Sequence, residues 1–183
     1  MRFRLRSIMR ALCRSLCLSL AALPLLAALA GAAPHAAPAR EMVPLNGYSA
    51  GTVVVKTKER RLYYVLGGGK ALRYPVGVGK AGKAWAGSAF IIGKFRNPSW
   101  SPPAEVKRDH PHLPDVIPGG SPANPMGVAA LTLSGGGQYA IHGTNVPGSV
   151  GRFVSYGCIR MHNHDIADLF DRVYIGTRVI VER

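Results

Sequence analysis

The stretch from Thr52 to Val78 limits the folds open to this chain more than any other. It reads TVVVKTKERRLYYVLGGGKALRYPVGV. Two runs rich in β-branched and aromatic residues, Thr52–Lys56 and Arg61–Leu66, are divided by a turn at Lys58-Glu59. The second run stops at Gly67-Gly68-Gly69, and a third, Ala71–Val78, follows. Short β-favouring runs joined by turn residues predict an antiparallel meander. Further strands are expected at Phe90–Phe95, Val128–Leu133, Gln138–His142 and in the closing GTRVIVE. Only HDIADLFDRV has helical spacing, with Ile166, Leu169, Phe170 and Val173 on one face. The fold class is therefore mainly β, a sandwich with one or two short helices. Between Asn97 and Gly127 lie eight prolines and no periodicity. A structureless stretch of that length inside one domain is usually functional, and this one is expected to fold over a site as a cover.

The N-terminus divides the chain. Arg2, Arg4, Arg6 and Arg10 precede an apolar run, Ser15–Ala30, broken only by Pro24 and ending in Ala28-Leu29-Ala30. A basic start, a short apolar centre and small residues at the end read as a secretory signal over residues 1–33, cut near 30–33, with an uncleaved anchor as the alternative. An Ala/Pro-rich linker is expected over 34–47 and a folded domain over 48–183. That organisation places the protein across the inner membrane, in the periplasm or cell envelope. Of its three cysteines, Cys13, Cys17 and Cys158, only the last would survive cleavage. It could then form no internal disulfide. A lone thiol in an oxidising compartment is either buried and inert or kept for its chemistry. The net charge is +14, and losing Arg2, Arg4, Arg6, Arg10 and Arg14 leaves +9. That suits a polyanionic neighbour, cell wall or anionic lipid, although charge alone reads first as a solvated basic surface; secretion argues against nucleic acid.

The neighbours of Cys158 favour chemistry. A nucleophilic thiol needs a base, oxyanion donors and a group that holds the substrate. His142 ends a predicted strand in YAIHGTN, sixteen positions before the cysteine, and a Gly-rich excursion between them lets the chain return alongside. Gly157 permits close backbone approach. Arg160, at i+2, shares the cysteine's face in an extended segment and could lower the thiol pKa or clasp a carboxylate. Zinc is an alternative use of His142, Cys158, His162 and His164, and a catalytically silent wall-binding module with Trp100 on its surface is another. His110 and His112 read as solvated loop.

IHGTN followed by VSYGCIRMHNHDIADLF resembles the L,D-transpeptidase catalytic domain family (YkuD or ErfK/YbiS type). The likeness runs from about Tyr48 to Arg183 and includes NPSWSPP, PGGSPANPMG and IGTRVIVER. The resemblance implies a β-sandwich and a cofactor-free, metal-free enzyme acting on peptidoglycan stem peptides. Cys158 would be the nucleophile and His142 the base, with the Gly143 carbonyl orienting the imidazole. Amides of Gly157 and Cys158 would form the oxyanion site. Arg160 would steady a substrate carboxylate, Ser155 and Asn145 would hold the active-site loops, and Trp100 would offer a substrate platform. Many members carry His where this chain has Tyr156, which leaves His142 the clear base and puts a ring beside the thiol. The implied reaction releases D-alanine from a tetrapeptide stem and passes the acyl group to an amine. That amine sits on a second stem or on an outer-membrane protein; water as acceptor would make a carboxypeptidase. A monomer is expected.

Overall fold

The computed structural model describes residues 40–136 and 138–183; the expected signal segment, 1–33, lies outside them. The meander is present. The strands β1 (Glu41–Pro44), β2 (Val53–Lys56), β3 (Arg61–Gly67) and β4 (Lys70–Pro75) pair antiparallel in the order β1-β4-β3-β2. The first of them corrects the expected linker, 34–47, over its described part, 40–47. Glu41–Pro44 is hydrogen-bonded along β4, and Val43, Leu45 and Tyr48 pack over Val54, Tyr63, Val65 and Ala71. The reason lies in β2, whose three valines are all buried. A strand apolar on both faces needs cover on both, and the segment before Tyr48 supplies the outer one.

A two-residue strand, β5 (Val78–Gly79), leads to β6 (Gly87–Arg96). The Pro-rich segment follows, and it is not structureless: it holds a six-residue helix, α1 (Ala104–Asp109). Then come β7 (Ala129–Leu133), β8 (Ala140–His142), β9 (Phe153–Ser155), β10 (Ile159–Arg160), helix α2 (Asn163–Arg172) and β11 (Arg178–Glu182). Nine strands form one hydrogen-bonded series, β1-β4-β3-β2-β11-β6-β7-β8-β10, and β5 pairs with β9 in a separate ribbon.

β6 turns the series into a sandwich. Gly87–Phe90 pair with β11, whereas Ile91–Arg96 pair with β7, and the register shifts between Ile91 and Gly93. A strand that changes partners across an irregularity carries the sheet round a corner. Both halves then face one core, in which Val53, Leu62 and Tyr74 from the first meet Leu131, Ile141 and Ile159 from the second. Helix α2 buries Ile166 and Leu169 against β7 and β8. Another of its predicted apolar residues, Phe170, is only half-buried and lies under Lys94 and Arg96, 4.4 and 4.5 Å from its ring. β11 lies parallel to β2, with Val179 opposite Val53. Its end is held by Thr57, whose N–H and Oγ1 donate to the Glu182 carbonyl at 2.8 and 2.9 Å. Among the described residues, no helix is long and apolar enough to cross a membrane.

Candidate active site

The sandwich ends in its shortest strands. β8 and β10 run parallel, with Ile159 opposite Ile141 and Arg160 opposite His142. That register sets His142 beside Arg160, with Cys158 two residues back on the arginine's face. All three line one cleft of about 270 Å³. Trp100, Pro103, Glu105 and Val106 from the Pro-rich segment form one wall, and Pro125 and Met126 continue it; Gln138, Tyr139, Ser155 and Tyr156 complete the lining.

His142 is buried, and its Nδ1 lies 2.6 Å from the Gly143 carbonyl oxygen. A carbonyl only accepts, so this contact puts the ring proton on Nδ1 and leaves the lone pair on Nε2. Burial, reinforced by the Arg160 charge, pushes the imidazole pKa down to about 4. The ring is neutral at pH 7. Burial pushes the Cys158 thiol up, against a backbone hydrogen bond from Ala140 and the Arg160 charge, which pull it down. The Sγ lies 3.8 Å from the Gln138 carbonyl. Thiol and imidazole therefore rest as a neutral pair, not as thiolate and imidazolium. The Arg160 guanidinium is largely buried, and its Nε has no hydrogen-bond partner among the described residues. A buried donor without an acceptor is costly; in a cleft wall it suits an incoming anion.

The turn carrying Cys158 is fixed by one hydroxyl. Ser155 Oγ donates to the Cys158 carbonyl at 2.6 Å and accepts from the Gly157 N–H at 3.1 Å. The Gly157 amide, expected in the oxyanion site, is engaged by this hydroxyl within the turn. Gly157 has φ +122°, and a Cβ there would sit 2.3 Å from the Tyr139 ring. Tyr139 stacks on Trp85 at 5.0 Å, and Trp85 Nε1 donates to the Gly157 carbonyl at 3.0 Å. Neither aromatic is singled out by the sequence. Each lacks a motif, and only their meeting across 54 residues of chain reveals them.

Tyr156 faces the cover. Its hydroxyl donates to Asp109 at 2.7 Å, and Lys80 lies 3.8 Å from its ring centroid. Together with the Lys83–Glu105 ion pair, this ties α1 to the cysteine-bearing side. Trp100 is half-buried and is held by reciprocal backbone bonds to Ile117. Asn145 does not reach the cleft. It donates to the Pro122 carbonyl at 3.2 Å and borders a separate recess. His162 and His164 stack at 5.4 Å at the start of α2, outside the cleft. Among the described residues, no group of three or more His, Cys, Asp or Glu is placed to hold a metal, so the four-residue zinc site is not assembled. His110 and His112 are exposed.

Comparison with known proteins shows the family and the fold. The family described as YkuD, L,D-transpeptidase catalytic domain, matches residues 50–181. "Probable L,D-transpeptidase ErfK/SrfK" of Salmonella typhimurium is 41% identical over 141 residues, covering 72% of this chain and 44% of its own length. "Probable L,D-transpeptidase YbiS" of Escherichia coli is 40% identical over 136 residues, covering 69% and 43%. The chain thus spans less than half the length of these relatives. Among solved structures, an L,D-transpeptidase from Mycobacterium smegmatis shares the fold, with a TM-score of 0.57 at 20% identity, over 72% of this chain and 58% of that one.

Proposed function

This chain belongs to the L,D-transpeptidase catalytic domain family (YkuD), and we propose that its cleft transfers acyl groups of peptidoglycan stem peptides through a thioester on Cys158. The observation that carries the reading is the His142–Gly143 contact in the wall of the cleft that holds Cys158. It leaves a neutral imidazole whose lone pair sits on Nε2, the nitrogen that can take a proton.

The chemistry follows from that starting state. As Sγ attacks the carbonyl carbon of the stem's third residue, the thiol proton passes to His142 Nε2. The Gly143 carbonyl steadies the imidazolium so formed. The oxyanion falls to the Cys158 N–H and to whatever donors the substrate-bound cleft adds. Collapse expels the D-alanine amine, which takes the proton back from His142, and a thioester remains. An acceptor amine then attacks the thioester carbonyl and gives its proton to the same Nε2. Collapse forms the new amide and restores the thiol. Arg160, which lines the cleft and whose Nε has no partner among the described residues, suits a stem carboxylate. The Pro-rich wall limits access of water, and a thioester is intrinsically more open to amines than an oxygen ester is. Both favour transfer over hydrolysis.

In this reading the protein works in the periplasm against the anionic wall. The acceptor is a neighbouring stem or the amine of an outer-membrane protein. The test supplies a tetrapeptide-bearing muropeptide with and without a diaminopimelate-bearing acceptor and follows products by mass spectrometry. Cross-linked product that grows with acceptor is expected. Free tripeptide as the dominant product at saturating acceptor would overturn the transferase in favour of a carboxypeptidase.

A further inference from the structure

Asn163 opens helix α2 but does not cap it: no side-chain bond satisfies that helix end. Its side chain turns back toward the strands. Oδ1 accepts from the Thr144 N–H at 3.0 Å and from the Val128 N–H at 3.4 Å. Two backbone donors on one atom settle which end of the amide is oxygen. Thr144 directly follows Gly143, whose carbonyl holds His142. Val128 follows Gly127 at the end of the Pro-rich segment, next to the cleft-lining Met126. One oxygen therefore fastens the backbone beneath His142 to the backbone that ends the cleft wall.

The two glycines make room for it. A Cβ on Gly127 would lie 2.1 Å from Asn163 Oδ1, and one on Gly143 would lie 2.3 Å from it. Asn163 itself does not line the cleft.

We propose that Asn163 is a positioning residue for His142: its Oδ1 fixes the Gly143–Thr144 peptide, which holds the imidazole in its Nδ1–H form with Nε2 available to the cleft. The inference rests on the proposed roles of His142 and Cys158. A residue that acts this way matters through the oxygen it presents, not through its bulk. The substitution Asn163→Asp keeps that oxygen and places an acid in the first turn of a helix, where it is favoured. Asn163→Ala removes it, and the hydroxyl introduced by Asn163→Ser is too short to reach both amides.

The experiment compares full-length wild type with N163A, N163S and N163D. Acylation by a carbapenem, whose strained carbonyl a nucleophilic cysteine can open, is timed by intact-protein mass spectrometry. The His142 Nδ1–H proton is followed by NMR, assigned by its absence in H142Q. N163A and N163S are expected to acylate roughly 10- to 100-fold more slowly, the scale of a misplaced catalytic group, and to lose the Nδ1–H signal. N163D is expected to stay within about threefold of wild type and to keep the signal. The signal persisting in N163A or N163S overturns the proposal, whatever their rates. N163D behaving like N163A overturns it too. So does loss of a cooperative unfolding transition in both N163A and N163S, which would make Asn163 a stability residue. A wild type that no carbapenem acylates would instead count against the cysteine reading, while the NMR comparison still judges Asn163.

Discussion

The meander and the edge that carries Cys158 are parts of one series of strands, yet they are built in opposite ways. β2, β3 and β4 are four to seven residues long, and each pairs along its length. Their buried side chains are apolar, and packing alone sets their geometry. β8 and β10 are three and two residues long. Their geometry is imposed by side chain-to-backbone bonds: Ser155 inside the cysteine turn, Trp85 on Gly157, Asn163 beneath His142. The meander gains its stability from apolar burial. The edge accepts a positive-φ turn at Gly157 and a buried, unpartnered guanidinium nitrogen. Stability and chemistry are thus drawn from different residues, and substitutions should separate them.

Cys158→Ala would separate them furthest. Turnover of a muropeptide should fall by roughly 10⁴-fold or more, the scale on which a lost nucleophile acts, with the unfolding midpoint unchanged. Turnover within about tenfold of wild type would end the cysteine mechanism. His142→Gln comes next, with acylation slowed by roughly 10² to 10⁴. The wild-type pH profile sharpens the same point. The base is competent when neutral, and burial holds its pKa at about 4. The acid limb of kcat/KM should therefore lie well below the roughly 6.5 of an ordinary histidine, with activity retained as pH falls through about 6. A limb at about 6.5 would mean that the ring is not buried as described. Arg160→Lys is smaller. Losing one charge-assisted contact should raise KM for the donor about tenfold and leave kcat nearly unchanged; wild-type behaviour at every donor concentration would remove Arg160 from recognition. Leu62→Ala tests the opposite side. It should cost about 2–5 kcal/mol of stability, read by denaturant unfolding, while the folded fraction keeps wild-type turnover within about twofold. A tenfold fall in its kcat would show that the two regions are coupled after all.

What the sequence reveals follows the same division. The meander is legible because its cause is local: short β-favouring runs and the turns between them need no distant partner. The α2 face is legible for the same reason. Helix α1 is not, because it buries no residue and so has no apolar stripe. β5, β9 and β10 are not, since two or three residues hold no period. β1 reads as linker because its role depends on the outward face of β2, which only the paired sheet displays. Within the site, Cys158, His142 and Arg160 stand out through residue type and spacing. Trp85, Tyr139 and Asn163 do not, since each acts on backbone far away in sequence. The engagement of the Gly157 amide by Ser155 depends on a rotamer, which spacing does not encode.

The parallel seat of β11 between β2 and β6 bears on the order in which the protein can be made. Strands β2 and β6 precede β11 in the chain, but each shows an open edge until Arg178–Glu182 fills the gap. Until then, the half that carries the meander and the half that carries the cleft have no strand in common. Pairing Val179 with Val53 closes a loop of nearly the whole domain, so the step is slow by topology. Without Arg178–Glu182 the facing edges of β2 and β6 lie open, and open strand edges are what aggregation recruits.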